Sequence, residues 1–288
     1  MKESDFQAKV ILFSKPNIIN KYGREPKPLI AIQLHYPRMI HAEVMTHRVF
    51  SRNARSGRAV PVSKLLQEEI YIPHFMKNRP GMQAFEEFDI IELEEIQKEW
   101  ERFARETQRF AKWLADKGVH KQWANRPLEW FGYIDTLITA TDWDNFFSLR
   151  IHKDAMPEIK ELAKAMDKEI NRVIDNSEFQ TLEPGEWHIP YILKEEQELD
   201  LQTKLQLSVA RCARVSYAPF DGNASLEKEI NRYDLLKNAD PMHASPFEHQ
   251  ARVANVIRND NIGSTFELDD YVPSNLAYPW LQYRKLLD

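Results

Sequence analysis

Glycine is scarce in this chain: eight occur in 288 residues, and no two fall in a G-x-G spacing. Glycine is what lets a backbone approach a phosphate closely, so the dinucleotide-binding fingerprint and the phosphate loop are both excluded. The lone Cys212 excludes an internal disulfide framework and any metal site built from several thiolates. Within Val209-Ala210-Arg211-Cys212-Ala213 it reads as a small, buried packing residue. Lysine and arginine number 39 against 44 aspartates and glutamates, a net charge of -5, so the whole-chain field does not favour a polyanion. No apolar run approaches the roughly 18 residues a membrane span needs. Met1-Lys2-Glu3-Ser4-Asp5 carries acids and lacks the apolar centre of a signal peptide. The expectation is a soluble, cytoplasmic protein with no membrane partner.

Periodicity predicts a mixture of strands and helices. Residues 8–13 and 29–35 are short apolar runs bounded by proline-containing loops, and both read as strands. Pro37 suits the first turn of a helix carrying Ile40, Val44 and Met45 on one side and running towards Arg48. A long helix is expected at about 90–117. Its stripe is Ile96, Trp100, Phe103, Phe110 and Leu114, its acids form the solvated face, and Gly118 ends it. A second, near 157–175, repeats the spacing with Ile159, Leu162, Ala163, Met166, Ile170 and Val173. Segment 176–200 reads as a surface connection before a further helix near 201–211. No repeat or low-complexity tract breaks the chain, so residues 1–288 read as one intertwined α/β domain.

The segment Thr46-His47-Arg48-Val49-Phe50-Ser51-Arg52-Asn53-Ala54-Arg55-Ser56-Gly57-Arg58 carries the strongest chemical signal. Five arginines and two histidines lie between Arg38 and Arg58, with Glu43 the only acid. If the segment is helical, Arg48, Arg52 and Arg55 share a face and repel one another, so something anionic compensates. Arginine's planar donor fork, with serine hydroxyls and backbone N–H groups, suits a nucleotide phosphate or a flavin pyrophosphate. Pairing with the acidic helix is the structural alternative.

This segment resembles the signature of flavin-dependent thymidylate synthases, R-H-R-x-x-S-x-N-E-x-S-x-R. His47, Arg48, Ser51, Asn53, Ser56 and Arg58 match in register, while Thr46 and Ala54 replace an arginine and a glutamate. Three further blocks are similar to the family's. They are His243-Ala244-Ser245-Pro246-Phe247-Glu248-His249, Ala213-Arg214-Val215-Ser216-Tyr217, and Asn145-Phe146-Phe147-Ser148-Leu149-Arg150 followed by Ala155 and Glu158-Ile159. In the family the A-R-V-S-Y and S-P-F-E-H elements precede the arginine motif; here they follow it. A circular permutation or a partly rebuilt fold would give that order. The terminal Trp280-Leu281-Gln282-Tyr283-Arg284-Lys285 faintly resembles the stretch that leads into the arginine motif.

The resemblance implies an α/β fold with a mixed, largely antiparallel sheet flanked by long helices. It implies transfer of a one-carbon unit from methylenetetrahydrofolate to C5 of a pyrimidine deoxynucleotide, dUMP to dTMP, with FAD as cofactor, NADPH as reductant and a homotetramer sharing its sites. No attacking thiolate is required. His47 and Arg48, with Asn145 and Ser245, would hold FAD. Ser56, Gly57 and Arg58 would grip the nucleotide phosphate, with Arg126 a looser second contact. Arg150 would stand at the pyrimidine ring as the catalytic cation. Glu43 occupies the place of a family glutamine beside the nucleotide; it could accept from a cytosine amino group, or pair with Arg48 or His47.

Several readings compete. The same fold could act on dCMP, make a hydroxymethyl product, or bind nucleotide without flavin, given Thr46 and Ala54. A nucleic-acid-binding module is disfavoured by the net charge and by the lack of any standard reading motif. A metal hydrolase is disfavoured too. His35, His41 and His47, like His243 and His249, are six residues apart, which does not place two of them on one helical face.

Overall fold

The computed structural model describes residues 2–18, 25–81, 84, 86–215, 225–259, 265–268 and 272–287. Ser216 and Tyr217, which complete one of the sequence blocks, lie outside them. The central sheet has five strands: β1 (Gln7–Pro16), β2 (Leu29–Pro37), β3 (Ser51–Ala54), β4 (Tyr133–Ala140) and β5 (Gln180–Leu182). Their order is β3-β4-β2-β1-β5, antiparallel throughout except for the parallel β1–β5 pair. The two apolar runs read from sequence are β1 and β2, paired from Gln7↔His35 to Ser14↔Leu29.

Both faces of the sheet are covered, which is why β2 is an almost unbroken apolar run rather than an alternating one. Eight helices appear among the described residues: α1 (His41–Met45), α2 (Val62–Leu65), α3 (Ile90–Asp116), α4 (Lys121–Ala124), α5 (Asp144–Arg150), α6 (Pro157–Asp175), α7 (Leu201–Arg214) and α8 (Leu226–Lys237). On one face Ile30, Ile32, Leu34 and Tyr36 of β2, with Ile134 and Ile138 of β4, meet α6. That helix buries Ile159, Leu162, Ala163, Met166, Ile170 and Val173, as its spacing predicts. Each such side chain contributes about 1.5–3 kcal/mol by leaving water. On the opposite face Ala31 and Leu137 pack with Tyr191, Val215 and the fully buried Cys212. Burial pushes the Cys212 thiol above its ordinary range, in keeping with a packing role. A three-stranded sheet in the order β10-β7-β6 supports this side: β6 is Trp187–His188, β7 Ala251–Val253 and β10 Trp280–Gln282. A separate ribbon joins β8 (Val256–Asn259) to β9 (Thr265–Leu268).

Three expectations need correction. The helix expected from Pro37 towards Arg48 is cut short, and the arginine-rich segment, weighed as a helix, is not one. After the 3-10 turn Arg38–Ile40, α1 stops at Met45, and residues 51–54 form an edge strand registered from Ser51↔Thr139 to Ala54↔Thr136. Ile40 and Val44 are buried, but Met45 is exposed. Segment 176–200 is not merely a surface connection, because it supplies β5 and β6 and buries Leu182, His188 and Tyr191. The stripe of α3 is only partly as expected: Ile96, Trp100 and Leu114 are half-buried, but Phe103 and Phe110 are 57% and 50% exposed, and Ala104 and Ala111 are its buried residues.

Helix α3 otherwise follows the sequence. Asp89 caps it, accepting from the N–H groups of Ile91 and Glu92 at 2.9 Å. Gly118, at φ +79°, ends it in the left-handed conformation that favours glycine. The acids pair along the helix itself, as in Glu94–Lys98, Glu99–Arg102–Glu106 and Glu101–Arg105, and leave the arginine-rich segment to find other partners. Trp100 anchors it, donating from Nε1 to the Tyr71 carbonyl at 2.9 Å and packing edge-on to Phe131. No described helix is long and apolar enough to cross a membrane.

Candidate active site

The turn between α1 and β3 carries His47 inward and Arg48 outward. His47 is 8% exposed, stacked on Phe50 at 5.6 Å and edge-on to Phe146 at 4.8 Å. Phe146 and Arg150 sit four residues apart on α5, hence on one side of it. That spacing brings the Arg150 guanidinium to His47, with Nε donating to His47 Nε2 at 3.0 Å and Nη2 to Thr46 Oγ1 at 3.1 Å. Burial, then the Arg150 and Arg52 charges, holds the His47 imidazole below its ordinary pKa. A neutral ring can accept from Arg150, so the two observations agree. Arg52 locks the turn from below, its Nη1 donating to the Met45 carbonyl at 2.6 Å and the His47 carbonyl at 3.3 Å.

Arg48 is exposed, and its guanidinium has no hydrogen bond or ion pair among the described residues. Glu43 pairs with neither Arg48 nor His47. Its Oε2 is buried and accepts no hydrogen bond, leaving an orphaned acceptor beside the turn. Thr46, where the family motif has arginine, donates to the Glu43 carbonyl at 2.6 Å while accepting from Arg150.

The far end of β3 leads into Ser56, Gly57 and Arg58. Arg55 is spent on structure, making a double hydrogen bond to Glu68 at 2.9 Å and lying 3.7 Å from Asp135. Arg58 is exposed and, like Arg48, its guanidinium has no partner among the described residues. The chain at Gly57 runs so close to Glu129 that a Cβ would lie 3.1 Å from Glu129 Oε1. Glu129 also takes Arg38 at 3.0 Å and Arg126 at 3.1 Å. Arg126 is therefore brought to the Gly57 turn, as the sequence suggested, but already holds a carboxylate.

The block 243–249 reaches β3 from the C-terminal part of the chain. Its 3-10 turn Ser245–Glu248 buries Phe247 and leaves Ser245 exposed. Asn53 turns its amide nitrogen towards the Ser245 carbonyl and His249 Nε2, each 3.1 Å away. With Nε2 accepting, His249 Nδ1–H donates to Thr139 Oγ1 at 2.8 Å. Gln282 of β10 closes the group, donating to Ser51 Oγ at 3.1 Å and the Glu248 carbonyl at 3.0 Å. Asn275 donates to Ser51 Oγ at 2.9 Å and the Val49 carbonyl at 3.1 Å. Asn145 lies exposed on α5. The structure thus joins Thr46, His47 and Arg150 at one end of β3, sets Ser245 beside its middle, and collects Ser56–Arg58 with Arg126 at the other end. Sequence reading missed Arg38, Glu129, Asn275 and Gln282, whose partners are distant in the chain and whose residue types carry no periodic signal.

The family described as Thymidylate synthase complementing protein matches residues 28–174, about half of the chain, and the chain belongs to that family. It is a nucleotide-modifying enzyme of the methyltransferase type. The matched residues include the arginine-rich segment and Arg150; the blocks at 213–217 and 243–249 lie beyond them. The fold is similar to a crystal structure of the UMP/dUMP methylase PolB from Streptomyces cacaoi bound with 5-Br UMP. That match has 15% sequence identity and a TM-score of 0.50, and covers 58% of this chain and 89% of the other. The same methylase bound with 5-Br dUMP aligns at 15% identity and a TM-score of 0.49, covering 58% and 90%. No curated protein matches the chain.

Two buried histidines, His249 beside β3 and His188 beside β1, make the fold acid-sensitive. Burial drives His249 down to about 3, and burial with the neighbouring His249 drives His188 to about 3. Between those values and the unfolded pKa of about 6.5, the unfolded chain binds more protons than the folded one. Their contribution is therefore complete above roughly pH 6.5 and is lost as pH falls towards 3. Each proton costs about 1.4 kcal/mol per pH unit. Denaturant unfolding measured from pH 7 to 5 should show stability falling with pH. His188→Asn, which can keep the 2.7 Å bond to Ser14 Oγ, should flatten the slope by one proton's share; an unchanged slope contradicts the assignment.

Proposed function

We propose that this enzyme transfers a one-carbon unit from methylenetetrahydrofolate to C5 of a pyrimidine deoxynucleotide, converting dUMP to dTMP, with bound FAD reduced by NADPH. The observation that carries this reading is the division of labour among the arginines. Arg52 and Arg55 are committed to the protein, Arg150 is seated on His47 and Thr46, and Arg48 and Arg58 point outward without protein partners among the described residues. Unpaired guanidiniums at two ends of one short strand suit two separate anionic groups. The likeness to a UMP/dUMP methylase supports the same fold.

Arg58, with Ser56 Oγ and the backbone at Gly57, grips the 5′-phosphate. Arg150 stands at the pyrimidine ring and stabilises negative charge developing at O2 and N3, which raises electron density at C5. His47 holds that guanidinium in place and, being neutral, does not compete with it for charge. The residues fit a flavin: Arg48 is a free cation for its pyrophosphate, and Asn145 and Ser245 are exposed polar groups that would complete the contact. When bound, reduced flavin supplies the hydride that the methyl product requires. Thr46 does not leave a gap where arginine is replaced, because its hydroxyl relays between Arg150 and the Glu43 carbonyl. A homotetramer fits the apolar surface of α3, where Ile90, Ile91, Phe103, Phe110 and Trp113 are each at least half exposed.

Steady-state kinetics test the arginine roles. Arg58→Ala should raise KM for dUMP about 10- to 100-fold, the loss of a charge-assisted contact made equally in ground and transition states. Arg150→Ala should instead lower kcat, by about 100-fold or more. The reverse pattern contradicts the assignment.

The orphaned Oε2 of Glu43 favours a second reading in which the base presents an amino donor, as in dCMP. An ionised carboxylate can only accept. Turnover of dCMP that exceeds that of dUMP, with the preference inverted in Glu43→Gln, would establish this. Exclusive use of dUMP by both proteins removes it.

A further inference from the structure

The turn from Ser56 to Val60 has the task of presenting a hydroxyl and a guanidinium at fixed positions, yet it lies beyond the last ladder pair of β3. Internally it has only two hydrogen bonds, from the Ala59 N–H to the Ser56 carbonyl at 3.0 Å and from the Arg58 N–H to Ser56 Oγ at 3.3 Å. Its attachment to the rest of the protein comes from elsewhere. Asn125, 2% exposed, donates from Nδ2 to the Gly57 carbonyl at 2.6 Å and to the Val60 carbonyl at 2.9 Å. Both amide hydrogens are thereby used on the two carbonyls that bracket Arg58 and Ala59. A further polar anchor is half-buried Lys121, donating to the Ala59 carbonyl at 3.2 Å.

Asn125 is itself held rigidly. It joins α4 to the 3-10 turn Arg126–Trp130, with its N–H donating to the Lys121 carbonyl at 3.2 Å and its carbonyl accepting from Leu128 at 3.1 Å. Its Oδ1 is buried and accepts nothing, so the carboxamide is used purely as a double donor. From the other side, the missing side chain of Gly57 lets the turn close to 3.1 Å of Glu129 Oε1. The turn is pressed between a buried amide and a carboxylate that also holds Arg38 and Arg126.

We propose that Asn125 is the positioning residue for the phosphate grip, setting the enzyme's preference for a nucleoside 5′-monophosphate over the nucleoside. It touches no substrate; it acts through the Gly57 and Val60 carbonyls on where Ser56 Oγ and Arg58 stand. This rests on the reading of Ser56–Arg58 as the phosphate site. A donor pair aimed at two carbonyls cannot be replaced by an acceptor pair. Asn125→Asp keeps size and shape but sets carboxylate oxygens against both carbonyls, and Asn125→Ser removes the donor pair without adding charge.

The test is equilibrium binding of dUMP and of deoxyuridine to the full-length protein, its Asn125→Asp and Asn125→Ser variants, and Arg58→Ala as a control. Thermal melting confirms that each variant is folded. The wild type should prefer dUMP strongly. Both Asn125 variants should lose about 10- to 100-fold in dUMP affinity, the scale of a charged contact displaced, with deoxyuridine binding changed less than twofold. Should Asn125→Asp fail to fold, the Asn125→Ser ratio decides. Equal losses for dUMP and deoxyuridine would show a merely structural role and overturn the proposal. An unchanged ratio in the Asn125 variants, with the ratio collapsed in Arg58→Ala, overturns it while leaving the phosphate site standing. An unchanged ratio in Arg58→Ala as well removes both.

Discussion

The ladder between Ser51–Ala54 and Thr136–Thr139 is the constraint from which the rest of the site follows. Strand β3 is four residues long and lies at the sheet edge, so among the described residues its only strand partner is β4. By itself such a strand is weak, and it is held by side chains on both flanks. Asn53 and Ser51 are hydrogen-bonded to the 243–249 block and to the C-terminal strand, while the turn before β3 is locked by Arg52 and by His47 packed on Phe50 and Phe146. Once β3 is fixed, its ends fix two cationic groups, Arg48 with Arg150 at one and Arg58 at the other. An edge strand with an irregular turn at each end suits this purpose, because site residues on turns are precise only when a rigid scaffold holds the turns.

The arrangement also accounts for how the blocks come together in space despite their order in the chain. The residues of the arginine-rich segment are spent in three ways: on the protein, on each other, and on nothing. Under the proposed function the third group meets the ligand. The block at 243–249 does not need to precede β3 to support it. It needs to present a buried histidine to Thr139 and Asn53 and a carbonyl to Asn53, which it does from the C-terminal part of the chain. A buried, neutral His249 is well suited to this, since a charged ring there would lack a counter-ion and would have no lone pair for the Asn53 amide.

Periodicity made β1, β2, α6 and α7 legible, because each buries a face whose spacing survives in the sequence. It failed where tertiary context overrides local pattern. Arg48, Arg52 and Arg55 have a helical spacing, but β3 forms because β4 offers an open edge and Asn53 and Ser51 have partners there. Phe103 and Phe110 fit the expected stripe of α3, yet its buried positions are Ala104 and Ala111, small residues that apolar-stripe reasoning overlooks. Strands β5 and β6 are three and two residues long, too short to carry a pattern. Of the candidate site, the resemblance supplied His47, Arg150, Ser245 and the Ser56–Arg58 turn, whereas Asn125, Glu129 and Arg38 act through contacts distant in the chain, 68 and 65 residues away for Asn125 with Gly57 and Val60, which spacing cannot reveal.

The most direct test of the central claim is tritium release from dUMP labelled at C5, incubated with the purified protein, FAD, methylenetetrahydrofolate and NADPH. Substitution at C5 requires the hydrogen there to leave, so the result expected is label appearing in water in proportion to dTMP formed. Flavin and nucleotide both bound, with no label released from C5-labelled dUMP or dCMP, would contradict a C5-modifying enzyme.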